Sequence, residues 1–95
     1  YVACVGEGAE ARALAAARTL RAHASAEVDL SGRSRKTQME SASKKKARVA
    51  VVVDAAAPGV VEWHDLRART DRRVEENQLV AFARDAAKAA QGDTQ

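Results

Sequence analysis

The stretch "DLSGRSRKTQMESASKKKARVAVVV", residues 29–53, decides the fold. Its last part, "ARVAVVV" (Ala47–Val53), is an unbroken run of small and β-branched residues. Such a run reads as a central strand covered on both faces. Its first two residues close a shorter apolar run, "AEVDL" (Ala26–Leu30), which reads as a strand stopped by Ser31-Gly32. Between the two, Ser34 is a suitable N-cap for a helix reaching Lys46. The expected apolar face of that helix is poor, Met39 and Ala42 with little else, so its neighbours must hold it in place. A strand, a helix and a second strand joined in this way demand a parallel pair and a right-handed crossover.

The pattern extends in both directions. "YVACV" (Tyr1–Val5) reads as a buried strand bounded by Gly6 and Gly8. The alanine- and arginine-rich segment from Ala9 to about His23 reads as an amphipathic helix. Its expected apolar side is Ala13, Leu14, Ala17, Leu20 and Ala24, with Arg12, Arg18 and Thr19 opposite. After the valine run, "DAAAPG" is a turn. In "VVEWHDL" (Val60–Leu66), Val61 and Trp63 point one way and Glu62 and His64 the other. "RART" connects to "TDRRVEE" (Thr70–Glu76), which returns antiparallel. Asn77 can cap a last helix in which Leu79, Phe82, Ala83, Ala86 and Ala90 share a face. The expected fold is therefore a three-layer α/β/α sandwich on a mixed five-stranded sheet with three helices. Residues 1–90 form one domain, and "QGDTQ" (91–95) is read as a frayed, disordered tail.

Ninety-five residues hold one modest core. Hydrophobic residues make up 46% of them, yet alanine dominates that share and aromatics are only 3%, so the core is expected to be thin. A single cysteine, Cys4, rules out an internal disulfide and fits a reducing compartment. The apolar runs are too short to cross a bilayer as helices. The N-terminus has no basic n-region and enters a strand at once, so it is read as no signal peptide and as part of something longer.

Charge is unevenly placed. Residues 33–48 carry seven bases (Arg33, Arg35, Lys36, Lys44, Lys45, Lys46 and Arg48) against one acid, Glu40, a net +6. The whole chain is +3, which leaves −3 for the remainder. A helix stabilised by its own ion pairs would mix signs. Here one sign dominates, and Ser34, Thr37, Gln38, Ser41 and Ser43 lie among the bases, groups that suit phosphate and sugar oxygens. Arg67, Arg69, Arg72 and Arg73 add to this at the hairpin. Two readings stand: a solvated helix face, or a surface that grips a polyanion. Trp63 alone is available for base stacking, which argues against an RRM-like platform.

Little else suggests chemistry. "GEGAEARA" lacks the third glycine of a dinucleotide fingerprint and reads as an ordinary strand-to-helix turn. Cys4 sits mid-strand as a small hydrophobe. His23 and His64 lie on different elements with no ligand-spaced partner, so no metal site is expected. His64 and Asp65 are strand neighbours whose side chains diverge, and no serine sits in a nucleophile elbow. No catalytic residue is proposed.

"AEVDLSGRSRKTQMESASKKKARVAVVV", "GVVEWHDLRARTDRRV" and "ENQLVAFAR" together resemble the C-terminal anticodon-binding domain of histidyl-tRNA synthetase. The resemblance covers Tyr1 to about Ala89 in the order and spacing of all its pieces. Threonyl, prolyl and glycyl enzymes carry similar domains, and "SGRSRKTQ" favours the histidyl branch. The resemblance implies a sheet in order 2-1-3-4-5 with the fourth strand antiparallel. It implies the tRNA anticodon arm as partner, and a dimeric, cytoplasmic class II parent that uses ATP and magnesium in its catalytic domain, with no cofactor expected in this chain. Matched by position, the RNA contacts it implies are Gly32, Arg33 and Gln38, then His64. Arg35 and Lys36 lie nearest the same surface, while Lys44 to Lys46 are read as solvated. The chain departs from the family pattern at His64, where arginine or lysine is usual, and at Lys46, where glycine is expected. Its "DAAAPG" turn is also shorter and less acidic. Those departures motivate a second reading, an interaction or dimerisation module that no longer reads RNA. A third, a small nucleotide-binding enzyme, rests only on the "GEG" turn.

Overall fold

The computed structural model describes residues 1–92. Its elements follow the order β1 (Val2–Val5), α1 (Glu10–Arg21), β2 (Val28–Asp29), α2 (Arg35–Lys44), β3 (Val49–Asp54), β4 (Val60–Asp65), β5 (Thr70–Glu75), a 3₁₀ turn (Glu76–Gln78) and α3 (Leu79–Gly92). The five strands form one sheet in the order β2-β1-β3-β4-β5. β1 pairs parallel with β2 and β3, while β4 is antiparallel to both β3 and β5. Sheet order and strand directions agree with the expected fold.

One sheet face carries the core. Val2, Cys4, Val51, Val53, Val61, Trp63 and Val74 meet Ala9, Ala13, Ala16 and Ala17 of the α1 segment and Leu79 of α3. Phe82 stands edge-on to Trp63 with ring centroids 4.8 Å apart. Ala3, Ala50 and Val52 face the other way, are fully buried, and lie on the α2 side. The alternation in β4 is as expected: Val61 and Trp63 enter the core, while Glu62 and His64 face the α2 side.

Several details differ from expectation. The buried stripe of α1 is Ala13, Ala16 and Ala17, whereas Leu14 is 38% exposed. Alanines let the helix approach the sheet closely, and Leu14 lies about 100° round the helix from Ala13. Arg12 is no idle outer residue. Its guanidinium pairs with Glu76 and donates to the carbonyls of Asp54 (2.9 Å), Ala57 (3.0 Å) and Val60 (3.1 Å). It thereby fastens the β3–β4 turn to α1. Asn77 lies within the 3₁₀ turn and does not cap α3. Of the tail expected at 91–95, Gln91 and Gly92 continue α3; residues 93–95 and the side chain of Ala90 lie outside what is described.

The largest difference is at β2, which is two residues long where five were expected. The chain turns away at Asp29, whose carboxylate accepts from the Ser31 N–H at 2.9 Å. β1 therefore extends beyond its partner. The Val2 N–H still finds the Glu27 carbonyl at 2.7 Å, but two residues on, Cys4 has no strand on that side. Gln38 of α2 takes the vacant place. The Cys4 N–H donates to Gln38 Oε1 (2.8 Å), and Gln38 Nε2 donates to the Cys4 carbonyl (2.7 Å). The second Nε2 hydrogen reaches the Arg33 carbonyl at 2.7 Å. The Cys4 N–H can face only an acceptor, which fixes the amide orientation. So the buried face of α2 is Gln38 and Ala42, both fully buried, with Met39 at the margin.

Gln38→Leu is expected to lower stability by about 2–4 kcal/mol, because it orphans a buried N–H and two carbonyls. Gln38→Glu should be at least as damaging at neutral pH, since a carboxylate would face two carbonyl oxygens. Urea midpoints measure both; a change within experimental error would contradict the assignment.

Candidate nucleic-acid interface

The loop between β2 and α2 is built around one buried carboxylate. Asp29 accepts from the Tyr1 hydroxyl, the Ser31 backbone and hydroxyl, and Arg33 Nη2 at 2.7 Å. Burial alone would raise the Asp29 carboxyl, but the bonds from Ser31, Tyr1 and Arg33 outweigh it and hold it well below the usual carboxylate range. Burial and the same carboxylate push the Tyr1 phenol up to about 12. Gly32 turns the loop through φ 76°, a left-handed conformation that glycine adopts without steric cost. Arg33 is fixed from two sides, since its Nε donates to Ser31 Oγ at 2.9 Å while its carbonyl is held by Gln38.

Ser34 opens α2 as expected, its hydroxyl oxygen accepting from the Thr37 N–H at 3.2 Å. The first turn of α2 contains Arg35 and Lys36 and no acid. Arg35 reaches across to β4 and forks onto both carboxylate oxygens of Glu62. His64, two residues along the same face, places Nε2 2.9 Å from Glu62 and Nδ1 2.6 Å from Asp71 of β5. Burial raises the Glu62 carboxyl, but Arg35 and His64 together bring it below its ordinary value. In the β4–β5 ladder Glu62 stands opposite Arg73 and His64 opposite Asp71, so these four share one face with α2.

The six residues expected to contact RNA therefore fall into three places. Gly32 and Arg33, with Gln38 behind them, belong to the Asp29 loop. Arg35 and His64 meet on Glu62. Lys36 is exposed on the same end of α2. Gln38 is fully buried with its amide occupied, so its part is to position Arg33. The side chains of Arg33 and Arg35 remain 47% and 43% exposed despite their pairs, which leaves guanidinium N–H groups open to a further acceptor. Glu62 and Asp71 were not singled out from sequence, and Arg73 only as one of four hairpin arginines, because their roles depend on hairpin register. Asp29 carries a local signal: an aspartate two residues before a serine N–H is an Asx-turn pattern.

Other candidates resolve structurally. A side chain at Gly6 would put its Cβ 2.9 Å from that of Ala55, so the "GEG" turn serves close packing. The Cys4 thiol is buried, and burial pushes its pKa up. Among the described residues no group of three or more His, Cys, Asp or Glu could hold a metal ion, and no helix is long and apolar enough to cross a membrane.

The family model described as "anticodon binding domain" matches residues 1–86. Among solved structures, the chain is similar to apo histidyl-tRNA synthetase from S. aureus (20% identity, TM-score 0.70, 87% of this chain and 23% of that one). It is also similar to histidyl-tRNA synthetase from Nostoc sp. PCC 7120 (20% identity, TM-score 0.74, 90% and 21%). A third is the RNA binding domain of threonyl-tRNA synthetase from Cryptosporidium parvum Iowa II (14% identity, TM-score 0.72, 86% and 22%). At these identities the likeness is one of fold, and the chain spans less than a quarter of each of those structures. A search of curated proteins finds no significant match.

The Asp29 cluster gives a pH signature. A carboxyl depressed in the folded state contributes its full stability above the ordinary aspartate range near about 3.9. That contribution fades as pH falls below this range and through the folded-state value. Asp29→Asn should cost about 1–3 kcal/mol at pH 7 and flatten the loss of stability on acidification. Urea midpoints at several pH values down to about 3 test this, and an unchanged acid profile would refute it.

Proposed function

Because the chain belongs to the anticodon binding domain family, we propose that it is a tRNA-binding module gripping the anticodon arm. The parent in this reading is a histidyl-tRNA synthetase or a synthetase-like protein. The observation that carries the proposal is the junction of β2 and α2. A glycine loop built on Asp29 carries Arg33 and leads into the first turn of α2, where Lys36 is exposed and Arg35 meets His64 on Glu62, opposite Arg73 in the β4–β5 ladder. Arginine forks suit phosphate oxygens, and the Gly32 backbone, with open space where a side chain would stand, permits close approach of splayed loop nucleotides. Gly32, Arg33, Arg35, Lys36 and His64 are the proposed contact residues, with Gln38 setting the loop from behind. The proposed parent is a cytoplasmic ligase, possessing ATP and magnesium chemistry on a separate catalytic domain.

A second reading, an interaction or dimerisation module without RNA binding, draws on one observation. Glu62 and Asp71 already occupy Arg35 and His64, so RNA must compete with internal carboxylates there.

Fluorescence titration with labelled tRNA separates the two. Affinity should fall steeply between about 50 and 200 mM salt. Replacing both Arg33 and Lys36 with alanine should weaken binding and reduce the salt slope by about 2. Negligible binding at low salt, with self-association altered by the same substitutions, would favour the second reading.

A further inference from the structure

A second basic surface lies at the far end of α2. The helix ends at Lys44, and the chain passes through Lys45 and Lys46 toward β3. Lys45 is engaged elsewhere, pairing with Glu27 and lying 5.8 Å over the Tyr1 ring. Lys46, with Ser43 and Arg67, lines a cleft of about 410 Å³ whose wall includes Arg48 and Leu66. The β4–β5 hairpin that carries Arg67 also carries Arg69, and it is docked to this end by the Leu66 N–H bonding the Arg48 carbonyl at 2.9 Å. Ser43 also borders a neighbouring hollow lined by Lys36, Met39, Glu40 and Lys44. Ser43 borders both hollows, which together line α2 from Lys36 to the Arg67 cleft as an open groove.

Backbone conformation marks two of these residues. Among the described residues, Lys46 (φ 57°) and Arg69 (φ 58°) are the non-glycine residues with left-handed backbone; the other four are Gly6, Gly8, Gly32 and Gly59. Left-handed backbone favours glycine because a Cβ crowds the following carbonyl. At both positions a long cation stands in the strained conformation, and both are at one end of the molecule. At Lys46 the left-handed turn closes α2, with the Ala47 N–H bonding the Ala42 carbonyl at 3.0 Å, and a cation stands at each turn where glycine would be less strained.

We propose that Lys44, Lys46, Arg67 and Arg69 form a second RNA-backbone site, continuous with the anticodon-loop site along the outer face of α2. Its identification as an RNA site rests on the anticodon reading above. The ten residues of α2 span about 15 Å, so the two sites sit several phosphates apart on one strand. The ligand is the phosphodiester backbone of a helical stem, and contact is sequence-independent, because lysines, arginine forks and the Ser43 hydroxyl meet phosphates and carry no base code. Among the described residues Glu40 is the one acid that lines the two hollows, while nearby Asp65 accepts from the Arg67 and Ala68 N–H groups at 3.0 and 2.9 Å. A protein partner would need an apolar centre, and the groove provides little beyond partly buried Met39 and Leu66.

The test uses the double variant Lys46→Gly/Arg69→Gly in the full 95-residue chain. Glycine relieves both strained positions, so the melting temperature should hold or rise and misfolding cannot mimic a binding loss. Wild type and variant are titrated with an anticodon stem–loop RNA and with a loop-free RNA duplex at two salt concentrations. The wild type should bind both, the stem–loop more tightly. The variant should lose several-fold on both and show a salt slope smaller by about 1.5–2, two phosphate contacts' worth. Unchanged affinity and slope in the variant, or no duplex binding by the wild type at low salt, overturns the proposal. Equal wild-type affinity for stem–loop and duplex instead counts against anticodon reading, while a loss in the glycine variant still upholds the groove.

Discussion

A two-residue β2 leaves β1 with an exposed stretch of ladder inside the protein, and the amide of Gln38 fills it. Everything on the α2 side follows from this contact. An unpaired N–H and carbonyl at that depth would each cost on the order of 1–3 kcal/mol, so α2 has to lie where Gln38 can reach Cys4. The same amide holds the Arg33 carbonyl and so sets the height of the β2–α2 loop above the sheet. A helix with almost no apolar face is thereby docked by hydrogen bonds, and its outer surface is left to cations.

Carboxylates then orient those cations. Asp29 holds Arg33 within its own loop, and Glu62 holds Arg35 across from the sheet. Both arginines stay nearly half exposed, so the pairs fix direction without using every donor. Prepositioned guanidinium forks lose less side-chain freedom on meeting a phosphate than unconstrained ones. At the other end of α2, Lys46 and Arg67 line an open cleft, which suits a backbone contact more than a readout of bases.

Much of the fold was legible because it rests on short-range patterns. The valine run of β3 announced a strand covered on both sides, and alternation in β4 sorted Trp63 from His64 correctly. Gln38 was harder to read, since hydropathy places a glutamine outside and nothing local shows that β2 would stop at Asp29. Arg12 was missed for a similar reason, as three of its partners are main-chain carbonyls more than 40 residues away. The chain from Arg35 through Glu62 and His64 to Asp71 depends on hairpin register, which "RART" alone does not define. Lys46 and Arg69 hid two left-handed turns that glycine would have advertised.

In the proposed function, RNA meets this protein at the Gln38-supported loop and the adjoining α2–β4 face. Amide chemical-shift mapping of the isotopically labelled chain during titration with an anticodon stem–loop tests it most directly. Perturbations should concentrate at Gly32–Lys36 and at His64 and Arg73, extend to Lys44–Lys46 and Arg67–Arg69, and leave the outer faces of α1 and α3 near Leu14 and Val80 unchanged. Shifts confined to the α1–α3 side, with the loop at residues 30–36 silent, would contradict it.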